Sequence, residues 1–264
     1  MPTTDLLIVS CQKHFPWLRY CLQSVVRFAT GFRQVLVLIP EDDLTAMNPL
    51  LAELSKHDQT PIRVMIYKDW PGKEFLRHEY AILCSDEFSD ADFFCHIDSD
   101  CIFVEPVSPA DYFRDGKPVL VHASFHWLVT YQQANLSMWQ AAVAKAVGWA
   151  PTEETMRCHP AVHYRKTYQK TRECIALHTG MSAEDYVQAG VNDFPQSVAE
   201  FPTLGAVAWK FFHPDYHWLN QEKGEWPHQK IVQFWSHGPV DVPQSPVYKH
   251  HPFTCTPESL LKSL

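Results

Sequence analysis

No stretch of the 264 residues approaches the roughly 18 consecutive apolar residues of a membrane span, so no transmembrane segment is expected. Basic residues are outnumbered: 22 Lys and Arg stand against 30 Asp and Glu, a formal net charge of −8 with histidine neutral. A chain that coats nucleic acid by neutralising phosphates carries the opposite sign, which excludes a general nucleic-acid partner. A small phosphorylated ligand is compatible, because a local cluster or a bound cation can hold it against the global field. There is no CxxC pair either. The eight cysteines, at 11, 21, 84, 95, 101, 158, 174 and 255, form no short-loop framework and read as reduced thiols packed as small hydrophobes. Met1 to Asp5 carries no basic residue, and the apolar run Leu6 to Val9 is only four long. No secretory signal is therefore expected. The expected location is cytoplasmic, with peripheral membrane attachment left open.

What is present is an ordinary globular composition, 46% apolar and 20% charged, which excludes disorder for most of the chain. Asp5 to Cys11 is a short apolar run of the kind that forms a strand buried on both faces. From Phe15 to Phe28, apolar residues recur at helical spacing, and Gly31 follows as a stop. Gln34 to Ile39 repeats the buried-strand pattern. A helix from about Glu41 to Lys56, a strand Ile62 to Tyr67, a helix near Lys73 to Phe88 and a strand Ala91 to Ile97 follow. This βαβαβαβ order, with connections long enough for crossovers, predicts an α/β fold: a mostly parallel sheet with helices on both faces. Lys117 to His122 reads as a fifth strand.

Beyond residue 123 the pattern becomes irregular and rich in aromatics and histidines. Helices are expected at Ser137 to Val147 and Ala183 to Ala189, whereas Thr152 to Arg172 reads as a charged and polar stretch. From Asp241 onward, proline and histidine suggest a strapping tail.

In an open parallel sheet, ligands bind beyond the carboxyl ends of the strands. The exits are Ser10 to Lys13, Pro40 to Asp42, Lys68 and Asp69, and Asp98-Ser99-Asp100. The last set is the sharpest feature, two carboxylates around a turn between the apolar runs Phe93 to Ile97 and Cys101 to Val104. Two such acids repel one another and cost desolvation energy. A divalent cation with a taste for oxygen ligands removes that cost.

The segment Ala91-Asp-Phe-Phe-Cys-His-Ile-Asp-Ser-Asp-Cys-Ile-Phe-Val-Glu-Pro106 resembles the DxD segment of GT-A glycosyltransferases, whose nucleotide-binding half is Rossmann-like. The resemblance implies one GT-A domain over 1–264, with a nucleotide-binding half (1–122), an acceptor-binding half (123–240) and a tail (241–264). It implies Mn²⁺ or Mg²⁺ held by Asp98 and Asp100 against the diphosphate of a nucleotide-sugar, UDP-linked by family frequency, with Ser99 in the same contact. Gln233 to Pro239 is similar to the family's C-terminal metal segment and nominates His237. A nitrogen ligand there would favour Mn²⁺ over Mg²⁺. Ser197 to Gly205 is similar to its acidic motif and nominates Glu200 as general base, with Asp193 as the rival. Ser10 and Gln12 fall where the family binds the base; Arg77 and His78 fall where it contacts diphosphate or base. The acceptor would be a glycan, a lipid-linked sugar or another hydroxyl compound. Phe125 to Trp127 and Phe211 to Trp218 offer aromatic faces for sugar rings, or simply the packing of an irregular half. Two other readings stand beside this one. A haloacid-dehalogenase-like phosphohydrolase also has DxD at a strand end, though on the first strand. A non-catalytic nucleotide- or sugar-binding protein could use the same fold.

Overall fold

The computed structural model describes residues 2–54, 61–67, 74–132, 136–190, 198–236, 238–246 and 254–264. In chain order the elements are β1 (Thr4–Val9), α1 (Phe15–Phe28), β2 (Val35–Pro40), α2 (Leu44–Leu54), β3 (Ile62–Tyr67), α3 (Glu74–Leu83), β4 (Phe93–His96) and β5 (Cys101–Phe103). Next come β6 (Phe113–Arg114), β7 (Lys117–Ser124), α4 (Phe125–Tyr131), α5 (Ser137–Val147), β8 (Glu153–Glu154), β9 (Ala161–Tyr164) and α6 (Arg165–Thr179). The chain continues through α7 (Ala183–Ala189), α8 (Glu200–Phe212), β10 (His217–Asn220), β11 (Ile231–Gln233) and α9 (Pro257–Ser263).

β1 and β2 are buried at every position, as strands covered on both faces must be. Their side chains alternate between two apolar layers. Leu6 and Ile8 pack with Leu18, Leu22 and Val25 of α1. Leu7 and Val9 pack on the other side with Val143 of α5, Tyr168 of α6 and Leu204 of α8. The main sheet runs β3-β2-β1-β4-β9, with β1 to β4 parallel and β9 antiparallel to β4. The fold is thus mixed α/β with a mostly parallel central sheet, as the alternation of elements implies. Because β2 and β4 flank β1 on opposite sides, the winding reverses between β3 and β4. In open sheets wound this way, ligands bind outside the carboxyl ends at the reversal, which here falls between β1 and β4.

Two expectations need correction. The charged and polar stretch Thr152 to Arg172, where no element is expected, holds β8, β9 and the first half of α6. β9 is four residues long and contains His163 and Tyr164, so no apolar alternation announces it; its burial comes from pairing with β4. Lys117 to His122 does form a strand, β7, but it pairs with β10, β6 and β8 in a second sheet. The place beside β4 is taken by β9.

The last described helix, α9, packs on the body of the fold. Leu260 of α9 packs among Trp17, Val104, Val232 and Phe234, and Arg27 Nη1 donates to the Leu261 carbonyl at 2.9 Å. No disulfide joins the described cysteines, and no helix among the described residues is long and apolar enough to cross a membrane.

Candidate functional site: an acid pair at the switch point

β4 ends where Ile97 N–H donates to Leu7 C=O at 3.1 Å, and the chain then turns, Cys101 N–H returning to Asp98 C=O at 3.0 Å. This turn sets Asp98 and Asp100 toward one neighbourhood. β5 then pairs with β11, placing Gln233 opposite Cys101. The Gln233 side chain reaches both acids: Nε2 donates to Asp98 Oδ2 at 2.9 Å and to Asp100 Oδ1 at 3.2 Å. Ser236 N–H donates to Asp100 Oδ2 at 3.0 Å. His159, buried beside the cis His159–Pro160 bond, places Nε2 3.0 Å from Asp98 Oδ2.

The two acids are unequal. Asp98 keeps 32% of its side chain exposed, whereas Asp100 is 6% exposed. Burial pushes the Asp98 carboxyl up, but the adjacent His159 more than offsets this and holds it at about 2. Asp100 is raised to about 6, first by burial and then by the charge of Asp98, against the donors Gln233 and Ser236. Burial lowers the His159 imidazole while Asp98 raises it, and the net shift is upward. Two carboxylates here face one imidazole.

Glu200 opens α8, and the ring of Phe201 beside it packs on those of His96 and His159, with centroids 5.3 Å and 6.0 Å apart. Burial raises the Glu200 carboxyl to about 7. Its N–H donates to Oε2 of buried Glu79 on α3 at 3.1 Å. His78, on the same helix, is close enough for its charge to act on Asp98 and on His96, while Arg77 is half-buried beside it. Ser10 and Ser99 are buried at the exits of β1 and β4; the Ser10 hydroxyl makes no hydrogen bond among the described residues. Gln12 is exposed, its N–H held by Asp43 Oδ2 at 2.7 Å. Asp193 and His237 lie outside the described residues, as do Lys68 and Asp69.

Among the described residues, no group of three or more His, Cys, Asp or Glu side chains is arranged to hold a metal ion. What the turn brings together is two carboxylates, one amide and one imidazole. Sequence reasoning missed His159, Gln233 and Glu79. Gln233 begins a segment already singled out for His237, but the motif drew attention to its histidine. Nothing local marks His159, which arrives through the antiparallel return of β9.

Aromatic and histidine rings of α8, β7, β10 and the segment before it form a cluster of their own. Trp209 of α8 packs on His213 at 4.5 Å, Trp218 at 4.7 Å and His122 at 4.7 Å, and Tyr216 is buried beside them. Asp215 is paired with Lys166 at 2.6 Å.

Fold and site together define a mixed α/β protein with a carboxylate pair at the topological switch point of its sheet. No family model matches the sequence, and no curated protein matches it. Among solved structures, the chain is similar to the crystal structure of the glycosyltransferase GlyE of Streptococcus pneumoniae TIGR4, at 11% identity and a TM-score of 0.47. The match covers 83% of this chain and 45% of that one, so the chain spans less than half the length of that protein.

Proposed function

We propose that the protein is a glycosyltransferase that moves a sugar from a nucleotide-diphosphate donor, UDP-linked, to a hydroxyl acceptor, with Mn²⁺ or Mg²⁺ at Asp98 and Asp100. The observation that carries this reading is the convergence of the Asp98 and Asp100 side chains, bridged by Gln233, at the exit of β4 beside β1. The donor set fits such a cation: one or two carboxylates completed by substrate phosphates are how Mg²⁺-like ions are commonly held. When bound, the ion stabilises charge on the departing diphosphate as a Lewis acid.

The chain's own residues take the remaining roles. His159 keeps Asp98 ionised, and the Ser236 N–H fixes the rotation of Asp100. Ser10 offers an unspent hydroxyl at the β1 exit to the nucleotide. Glu200, raised to about 7, accepts the proton of the attacking hydroxyl. The bond from the anomeric carbon to the diphosphate breaks as the bond to the acceptor oxygen forms, and direct attack inverts that carbon.

Calorimetric titration of UDP with and without Mn²⁺ tests the reading. Binding is expected only with the cation; equal affinity in both conditions, or release of phosphate from simple phosphoesters, defeats it.

A further inference from the structure

Gln233 stands where the two acids meet. It is 7% exposed, and β11 fixes its backbone against β5. A primary amide has two N–H donors. The Gln233 nitrogen directs hydrogen bonds to both acids, at 2.9 Å to Asp98 and 3.2 Å to Asp100. These are hydrogen bonds to charged or partly charged groups, stronger than neutral ones. They occupy the facing oxygens, Asp98 Oδ2 (which His159 shares) and Asp100 Oδ1. The amide satisfies lone pairs while supplying no charge, so it relieves desolvation and leaves the repulsion in place.

We infer that Gln233 is a built-in competitor for the cation: it keeps the free site's affinity low, so the ion is held firmly only when a diphosphate adds its own oxygens. The inference rests on the proposed function and adds to it an order of events, in which donor and ion are taken up together. The reason is elementary. An ion that enters alone and bridges the facing oxygens of the two acids displaces both amide contacts and gains two carboxylates. An ion entering with a diphosphate displaces the same contacts and gains two further negative oxygens and their charge. Ser236 N–H holds the other oxygen of Asp100, so that acid stays oriented through the exchange.

The experiment is a Mn²⁺ titration of the full chain followed by electron paramagnetic resonance of the free ion, with and without UDP. It compares the unaltered protein with Gln233→Ala, which removes the competitor, and Gln233→Glu, which replaces it with a third carboxylate. Both variants are expected to bind Mn²⁺ alone about tenfold more tightly or better, the worth of a lost charge-assisted contact. The tightening caused by UDP should shrink correspondingly, since coupling is reciprocal. Gln233→Glu should also melt below the unaltered chain in EDTA and recover on adding Mn²⁺, and it decides the matter should Gln233→Ala fail to fold. Mn²⁺ affinity that is unchanged or weaker in the variants, with Mn²⁺-dependent UDP binding intact in the unaltered chain, overturns the inference alone. Loss of that dependence in the unaltered chain overturns the functional reading and the inference with it.

Discussion

His159 Nε2 lies 3.0 Å from Asp98 Oδ2, and this single contact separates the protonation behaviour of two acids only two residues apart. The imidazole holds Asp98 down, and the charge thereby fixed on Asp98 helps push Asp100 up. Removing one member of a buried ion pair leaves the other uncompensated. His159→Ala is therefore expected to destabilise the fold by about 3 kcal/mol, discounted toward 1–2 by the water that reaches Asp98. Urea unfolding at neutral pH measures it. Asp98 has a depressed carboxyl, so its share of stability is present above its unfolded value and lost as pH falls toward about 2. His159 is raised, so its share is lost as pH rises past its folded value. A variant as stable as the parent across both limbs contradicts the assignment.

Asp100→Ala is expected to abolish Mn²⁺-dependent UDP binding, whereas Glu200→Gln should leave it intact. Calorimetry on the two variants separates the roles, because only the first touches the acid pair. Matching nucleotide affinity in Asp100→Ala and the parent would remove the cation site from the mechanism.

Glu200 should govern the pH dependence of transfer. With a carboxyl at about 7, it becomes a competent base as pH rises through neutrality, so kcat should climb along an acid limb centred there. Glu200→Gln should lower the rate by roughly 10²-fold or more and erase the limb. Stability has the opposite sense. A raised carboxyl contributes fully below its unfolded value near 4.5 and loses that contribution as pH rises through about 7. Glu200→Gln should consequently melt higher than the parent at pH 8 and show no such advantage at pH 4. A rate profile still showing the limb in Glu200→Gln points to another base.

Gly205 is a packing requirement of α8. A Cβ there would meet Thr155 Oγ1 at 1.6 Å and Thr155 Cβ at 2.7 Å. Gly205→Ala is expected to cost about 1–3 kcal/mol through overpacking. The added change Thr155→Gly should recover much of the loss, which thermal melts of the single and double variants will show.

At the opposite end of the sheet, Asp5 is wholly buried and takes Arg33 through both oxygens at 2.8 Å, with Gln34 Nε2 also at 2.8 Å. Asp5→Ala leaves those donors without their acceptor and should destabilise by about 3 kcal/mol with nucleotide binding retained. Chemical denaturation and UDP calorimetry on one sample check both halves of that statement.

Local pattern alone determined the strands from β1 to β4, the intervening helices and the placement of Asp98 and Asp100 at a strand exit, because burial on both faces writes itself as continuous apolar runs. Glu200 is reached only through the likeness of Ser197 to Gly205 to a family motif, not through local pattern. Only the tertiary structure decided that β4 lies beside β1, that β9 returns antiparallel to it carrying His159 nearby, and that β11 delivers Gln233 between the acids. Those residues lie 61 and 135 positions from Asp98 along the chain. Their contacts are chosen by sheet pairing and helix cover, which no short stretch of sequence encodes.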